Sequence, residues 1–335
     1  NSLVVGAGAW LGSSRRLTAG SPNEKLDLAF VGAGGRGAQN IDEIVRHDGS
    51  LVSIIALCDV DDERAAQTYD KFPQARKFTD FRRMFDDMER QIDAVVISTP
   101  DHGHFLQAAW AIERGKHVFL EKPLAHSVWE VRQLTQMARD RNVATQMGIM
   151  RHSWRGLRRG VEAIRTGMIG EITECHAWID SDRGMLDLPG MNEQIPKSLD
   201  WELWVGPAAM RPYSHVYAPY TYKFWWDFGT GETGNWGCHI LDIPFWALNL
   251  TSPTHVEASG PPVDPQRSPT YIEVRYKFPA NGSRGPITLH WYQGRPPILK
   301  QLGLDSTGMN NLFMGSAGML LTGFEGYKLL PDDKF

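Results

Sequence analysis

The sequence predicts an α/β protein in two parts, a doubly wound parallel sheet followed by a second part built on an antiparallel sheet. Three observations carry this reading. Short apolar runs alternate with helical-period segments between Leu26 and Ile149, the pattern of parallel strands joined by crossover helices. Later, strand-like runs at 171–180, 270–278, 286–293 and 311–322 carry turn residues between them, as at Asn281-Gly282. Strands without intervening helices pair antiparallel. The length, 335 residues, suits about two ordinary domains.

The elements follow in order. Leu26–Val31 is an apolar strand, and Gly32-Ala33-Gly34-Gly35-Arg36-Gly37 follows it directly, giving G-x-G-x-x-G at 32, 34 and 37. Ile41, Ile44 and Val45 recur at helical spacing, Leu51–Cys58 is a second buried strand, and Asp59 ends it. Strand, glycines, helix, strand and an acid roughly 20 residues on are the dinucleotide-binding arrangement. Each position has a physical role. Gly32 permits the tight turn, Gly34 lets the backbone approach a pyrophosphate, and Gly37 allows close packing of helix on strand. The helix start offers free N–H groups to the phosphates. Asp59 would accept from an adenosine ribose 2′-hydroxyl and repel a 2′-phosphate, which favours NAD over NADP. The similar Val5-Gly6-Ala7-Gly8 run is rejected, because Ser13, Ser14, Gly20 and Pro22 interrupt any helix after it.

The alternation continues with a helix at 80–89, a strand at 93–98, a helix at 104–114 and a strand at 117–120. Ser127 and Glu130 form a capping box for a helix ending near Arg141, and 143–149 is a further strand. Beyond it, Gly156–Thr166 is an amphipathic helix closed by Gly167. Ligands of such sheets sit beyond the carboxyl ends of the strands. Three of those ends carry chemistry: Asp59, the run Thr99-Pro100-Asp101-His102-Gly103-His104, and Glu121-Lys122-Pro123.

Composition narrows the function. With 35 basic and 39 acidic residues, a net charge of −4 lacks the basic excess of a nucleic-acid binder. No apolar run reaches the roughly 20 residues of a membrane-spanning helix. Cys58, Cys175 and Cys238 lack CxxC spacing, so neither a disulfide framework nor a structural zinc site is expected. No compact set of metal ligands stands out around His176, Asp180, Asp182, His239 and Asp242, and no metal is expected. The 12 tryptophans suggest core or interface, and flat rings also suit sugar pockets.

The loop at 32–37, S-T-P-D-H-G-H at 98–104 and E-K-P at 121–123 together resemble the Gfo/Idh/MocA oxidoreductase family from about Lys25 to the end of the chain, and the secreted planctomycete type most closely. The resemblance implies an N-terminal Rossmann domain and a C-terminal α/β domain with a large, mainly antiparallel sheet. It also implies bound nicotinamide cofactor, carbohydrate-like substrates and a homodimer or homotetramer through the C-terminal sheet. A second signature sits in the run Phe224–Asp242, where the family has an Asp four positions before a His. The His falls on His239, and the Asp position holds Asn235. An amide orients an imidazole but cannot stabilise an imidazolium by charge.

Oxidising a secondary alcohol requires a proton acceptor, ideally with a pKa near the working pH. His239 is the expected general base, with Lys122 holding and polarising the reacting oxygen and Asn235 beside them. The expected cofactor contacts are Gly32, Gly34, Arg36, Gly37, Asp59, Thr99, Pro100, His104, Glu121 and Lys122. Glu121 is expected to position Lys122 or the cofactor, and Pro123 to follow a cis bond. The expected substrate contacts are Lys122, Arg151, Trp225, Trp226, Asn235 and His239, while His102 is expected at the surface.

Two other readings stay open: a glycosidase or lyase that oxidises its substrate transiently on NAD, and a non-catalytic cofactor-binding relative. The boundaries expected are an export-signal remnant and linker at 1–24, the NAD-binding domain at 25–148 and a substrate and oligomerisation domain at 149–335. The apolar run Leu3–Leu11 suits the core of a secretory signal. Export of a cofactor-loaded protein implies folding first, hence the twin-arginine route, with a cytoplasmic location as the alternative. The end at Phe335 falls short of the family's usual extent.

Overall fold

The computed structural model describes residues 25–190 and 193–335, so the segment read as an export signal lies outside the described residues. Its first sheet is all parallel, with strands β1 (Leu26–Val31), β2 (Val52–Cys58), β3 (Arg76–Phe78), β4 (Ala94–Ile97), β5 (His117–Glu121) and β6 (Thr145–Gly148). Across the sheet they run 3-2-1-4-5-6. Crossovers therefore diverge on either side of β1 and β4, and the crevice for a ligand opens at that switch point.

The crossover helices are α1 (Arg36–Asp48), α2 (Asp62–Lys71), α3 (Phe81–Met88), α4 (His104–Glu113) and α5 (Val128–Arg141). Strand alternation divides the core between the two faces. Leu28 and Phe30 pack with Ile41, Ala65 and Tyr69 under α1 and α2. Ala29 and Val31 face Met84, Phe85, Ala108 and Leu134 under the other three helices. The expected capping box is present on α5, where Ser127 Oγ accepts from the Glu130 N–H at 3.3 Å and Glu130 Oε2 accepts from the Ser127 N–H at 2.7 Å. Helix α2 and strand β3 were not anticipated from the sequence; β3 is three residues long with two exposed charges, too short and too polar to register as an apolar run.

After the amphipathic helix α6 (Arg155–Arg165) comes β7 (Ile172–Ile179), the central strand of a second sheet. The chain then makes a long excursion that includes α7 (Trp201–Val205), α8 (Cys238–Ile240) and α9 (Asp242–Leu248). It returns as β8 (His255–Ser259), β9 (Ile272–Phe278) and β10 (Ile287–Gln293). The short α10 (Pro297–Gln301) precedes β11 (Asn311–Gly315), β12 (Gly318–Thr322) and β13 (Tyr327–Leu330). The seven strands lie in the order 13-12-11-7-10-9-8, antiparallel except where β10 pairs with β7. One face packs Cys175, Ala177, Leu289, Trp291 and Phe313 against α6 and α9. Among the described residues, no helix is long and apolar enough to cross a membrane.

Two contacts pull the excursion onto the first sheet. Asp200 N–H donates to the Val60 carbonyl at 2.8 Å and Asp62 N–H to the Ser198 carbonyl at 3.0 Å. Beneath them Trp201, Trp204, Tyr217, Trp225 and Phe228 form an aromatic core. That core holds three of the 12 tryptophans.

The turn from β1 into α1 is the tightest point of the fold. A Cβ at Gly37 would stand 1.7 Å from the Gly32 carbonyl oxygen. Gly37→Ala is therefore expected to push α1 off the sheet at a cost of about 1–3 kcal/mol. Thermal or urea denaturation reads this directly, and a variant as stable as the parent would show that the helix can retreat freely.

Candidate active site

A cavity of about 950 Å³ opens at the carboxyl ends of β1, β2, β4 and β5, roofed by the excursion of the second half. Its floor is the glycine turn. Gly32 has φ +86°, and a Cβ there would stand 2.7 Å from the Ser98 carbonyl oxygen. Gly35 has φ +52° and precedes α1 without any side-chain cap; the N–H groups of Gly37 and Ala38 turn back to the Gly34 carbonyl, and that of Arg36 stands at the helix start for an anion. The turn, the uncapped helix and the cavity's size fit a dinucleotide.

Asp59 lines this cavity and also braces the turn. Its Oδ2 accepts from the N–H groups of Ala33 and Gly34, both at 2.8 Å, and its Oδ1 from that of Asp61 at 3.0 Å. Burial raises its pKa against the lowering effect of these donors. An ionised carboxylate has about four acceptor positions, so one remains for a ribose hydroxyl. Arg36 lines the cavity and donates from Nε to Glu121 Oε1 at 2.9 Å. Glu121 also receives Asn40 Nδ2 at 3.0 Å. It thus ties the start of α1 to β5, and makes its bonds with the loop helix rather than with Lys122.

Lys122, after a cis Lys122–Pro123 bond, reaches across to the second half. Its Nζ donates to Asn235 Oδ1 at 2.9 Å and to the Asn235 carbonyl at 3.1 Å. Asn235 lies in a π-helical turn, Thr233–Gly237, inserted just before α8. Such inserts re-aim side chains and recur at functional sites. Asn235 Nδ2 in turn donates to Glu232 Oε2 at 2.9 Å. Glu232 is 1% exposed, and its other oxygen takes the Arg183 guanidinium and Ser181 Oγ. The negative charge absent at 235 therefore sits three residues earlier, one amide away from Lys122.

His239 completes the group. It is 8% exposed, lines the cavity, and stands edge-on to Trp236 with ring centroids 5.9 Å apart. Its Nδ1 has no partner among the described residues. Burial, then the charges of Lys122 and Arg151, push its pKa down to about 4. The ring is neutral at pH 7. Asp242, three residues on, is engaged elsewhere by His152 Nδ1 at 2.7 Å.

Several expected contacts are corrected. His104 is 1% exposed and clamped between the carbonyls of Pro123 (2.7 Å) and Thr99 (2.8 Å). It locks two strand-end loops together from below and does not line the cavity, whereas Thr99 and Pro100 do. His102, expected at the surface, is buried against the carbonyls of Phe228 and Trp204, at 3.2 and 2.9 Å, and lines the cavity. Trp225 is wholly buried in the aromatic core, its indole N–H donating to the Val216 carbonyl at 2.8 Å. Trp226 turns outward and donates to the Asp264 carbonyl. Arg151 stacks over Phe324, 4.0 Å from its centroid, and over Trp236 at 5.1 Å. It lies behind the cavity wall and is felt there through its charge. Among residues the sequence reading passed over, Tyr222, Lys223 and Trp236 line the cavity.

Away from the cleft, Glu174, His176 and His290 place possible metal-ligand atoms within 4.8 Å of one another. The two imidazoles stack nearly parallel, 14° apart, and both Nε2 atoms face Glu174 Oε1, at 3.1 and 3.4 Å.

Residues 26–149 match the oxidoreductase-family model with an NAD-binding Rossmann fold, and residues 168–287 match that family's C-terminal alpha/beta domain. The chain belongs to the Gfo/Idh/MocA oxidoreductase family. Inositol 2-dehydrogenase of Salmonella typhimurium is 26% identical over 153 residues, covering 45% of this chain and 45% of that protein. A glycosyl hydrolase family 109 protein of Solibacter usitatus is 29% identical over 196 residues, covering 53% and 44%. The chain thus spans under half the length of these curated relatives. Among solved structures, the WlbA dehydrogenase of Bordetella pertussis, in complex with NADH and UDP-GlcNAcA, superposes with a TM-score of 0.65 at 17% identity, covering 93% of this chain and 85% of that one. An inositol dehydrogenase homolog of Azotobacter vinelandii, complexed with NADH and myo-inositol, gives 0.62 at 18% identity, covering 92% and 74%. These likenesses show the Gfo/Idh/MocA fold.

The placement of Trp225 is testable in this Gfo/Idh/MocA chain. Trp225→Ala is expected to cost about 3–5 kcal/mol of stability, whereas Trp225→Phe keeps most of the packing and leaves the affinity for substrate unchanged. A Trp225→Phe protein with parental stability and weakened substrate binding would return the residue to the substrate set.

Proposed function

We propose that the protein is an NAD-dependent oxidoreductase that moves a hydride between the nicotinamide and a secondary hydroxyl of a sugar, cyclitol or sugar derivative. The observation that carries this is the convergence of Lys122 from the first sheet with Asn235 from the second half, beside a cavity that Lys122, His239 and the glycine turn all line. Gly32, Gly34, Arg36, Gly37, Asp59, Thr99 and Pro100 would hold the cofactor. When bound, it supplies the hydride acceptor. Asp59 favours NAD over NADP.

The chain's own groups handle the proton. Lys122 has three N–H donors and gives two to Asn235, which leaves one for the reacting oxygen. A cation at that oxygen stabilises developing alkoxide in a water-poor cleft. His239, neutral at its depressed pKa of about 4, accepts the hydroxyl proton. The depression keeps it in its base form across the physiological range but makes it a weaker base, so the cationic hydrogen bond from Lys122 carries more of the transition-state stabilisation. Asn235 fixes Lys122, and Glu232 supplies the negative charge behind it.

The glycosyl hydrolase likeness supports a second reading, in which oxidation is transient and a glycosidic bond leaves by elimination before the hydride returns. Turnover of NAD with free sugars selects the first reading; glycoside cleavage without net NADH selects the second. We also propose export after folding, read from Leu3–Leu11, and assembly through the second sheet. Native protein with an intact cytoplasmic N-terminus would reject the former, and a monomer by light scattering the latter.

Lys122→Ala and His239→Ala are each expected to lower turnover by about 10²–10⁴-fold while NADH binding, followed by fluorescence, persists. The acidic limb of the oxidation profile should fall near pH 4 instead of near 6.5. In Asn235→Asp a carboxylate replaces the amide that donates to Glu232, so two like charges meet. The added charge raises the His239 pKa and moves the limb upward, and the repulsion lowers the melting temperature. An unmoved limb together with an active His239→Ala protein would transfer the role of base to another group.

A further inference from the structure

Lys223 lies on the single 3₁₀ turn Thr221–Phe224 and lines the same cavity as Lys122 and His239. It is 8% exposed, and its backbone is fixed, since a Cβ on Gly229 would stand 2.2 Å from the Lys223 Cα. The ammonium sits 3.4 Å from the ring centroid of Tyr220 and 5.6 Å from that of Tyr222. It forms an ion pair with none of the described carboxylates. Two acids are near enough to influence it: Glu232, which Arg183 neutralises, and Asp101, which keeps its charge but makes no contact with the ammonium. Asp101 Oδ2 accepts from Thr230 Oγ1 at 2.8 Å. Glu232 holds Arg183, Ser181 and Asn235.

A buried cation is costly unless paired. Aromatic faces offset part of that cost, and burial with the neighbouring Lys122 charge pushes the lysine's pKa down to about 8. At neutral pH the group is still charged, rigidly held and open on its cavity side. Among the described residues no carboxylate touches it, and Asp101 acts on it only at a distance.

We propose that Lys223 is the anchor for a carboxylate carried by the substrate, so that the protein acts on sugar acids in preference to neutral sugars. This rests on the proposed oxidoreductase reading and narrows its substrate class. A single ammonium matches one negative charge, and the neighbouring polar groups Thr230, Arg183 and Asn235 already have partners; a phosphate dianion would find too few donors. Lys122 and Lys223 would then hold the substrate at two points, the reacting hydroxyl and the acid.

The test uses NAD-loaded protein and three hexuronates (glucuronate, galacturonate and mannuronate), each beside its uronamide and its neutral hexose, with glucose 6-phosphate as the dianion. At least one uronate should exceed its amide and its hexose in kcat/KM by about 10²-fold or more, the scale of removing one partner from a buried charge pair. Lys223→Met should collapse that ratio through KM, and Lys223→Arg should restore most of it. Calorimetric binding of the same compounds to the NADH complex gives the answer even without turnover, which separates this proposal from the catalytic one. The uronate–uronamide comparison in the parent protein stands even if Lys223→Met fails to fold. Equal binding of uronates and their neutral counterparts would overturn the proposal. So would stronger binding of the phosphate, binding of none of the compounds, or a Lys223→Met loss of kcat equal for acid and neutral substrates.

Discussion

The bond from Lys122 to Asn235 is the constraint around which the cleft is arranged. An ammonium half-buried at the end of a parallel strand needs acceptors, and Glu121 next to it turns one oxygen to both Arg36 and Asn40. A single residue of the second half meets the need twice, with its side-chain amide and its backbone carbonyl. The π-helical turn places Asn235 there and, four positions on, presents His239 to the same space. Removing that extra residue from the turn would rotate the following side chains by roughly a quarter-turn of helix. The irregular turn, the cross-half bond and the histidine's position are thus one feature.

Charge at this junction is distributed in an unusual way. The family places a carboxylate at the position of Asn235; here the amide passes its hydrogen bond to Glu232, which Arg183 neutralises. Near Asn235 the cavity presents Lys122 and Lys223, with Glu232 held one layer back, while Asp59 and Glu121 line it beside the glycine turn. Desolvation and the charges of Lys122 and Arg151 act in the same direction on His239, and the ring is kept neutral. A carboxylate in direct contact with Lys122 would have partly cancelled its field. The arrangement favours a proton acceptor that is unprotonated when substrate arrives.

Those parts of the molecule that depend on local rules were legible in the sequence. The glycine turn, the buried strands β1, β2, β4 and β5 and the capping box of α5 each follow from apolar runs and residue types at short fixed spacing, and the structure has them within a residue or two. The same reading misplaced His102 and His104. Both stand in one strand-end motif, and which imidazole faces the cavity depends on where Phe228, Trp204 and Pro123 put their carbonyls. Trp225 and Trp226 were misassigned for a similar reason: adjacent tryptophans give no sign of which one enters a core assembled from residues 199 to 228. Lys223 was missed because a lysine among aromatics looks like solvent-facing polarity. Its burial comes from Gly229 and from the fold of the excursion, neither of which has a periodic signature.

The excursion also shows how such a site can be stable with unpaired charge in it. Residues 193–236 contain little regular structure, so the backbone ladder that stiffens a sheet is largely missing. Rigidity comes instead from interlocked rings. Trp204 lies edge-on to Phe228 at 4.9 Å and Tyr217 edge-on to Trp225 at 4.8 Å, and edge-to-face pairs add about 0.5–1.5 kcal/mol each beyond burial. His102 ties the carbonyls of this cluster to the end of β4. A wall built this way is apolar, closely packed and unable to relax toward an uncompensated cation. The Lys223 backbone is held in this wall, so much of the ordering cost of presenting its charge to an anion is met in folding and not in binding. The tryptophan-rich composition, which first suggested sugar-stacking surfaces, acts here through the frame that holds the polar groups in place.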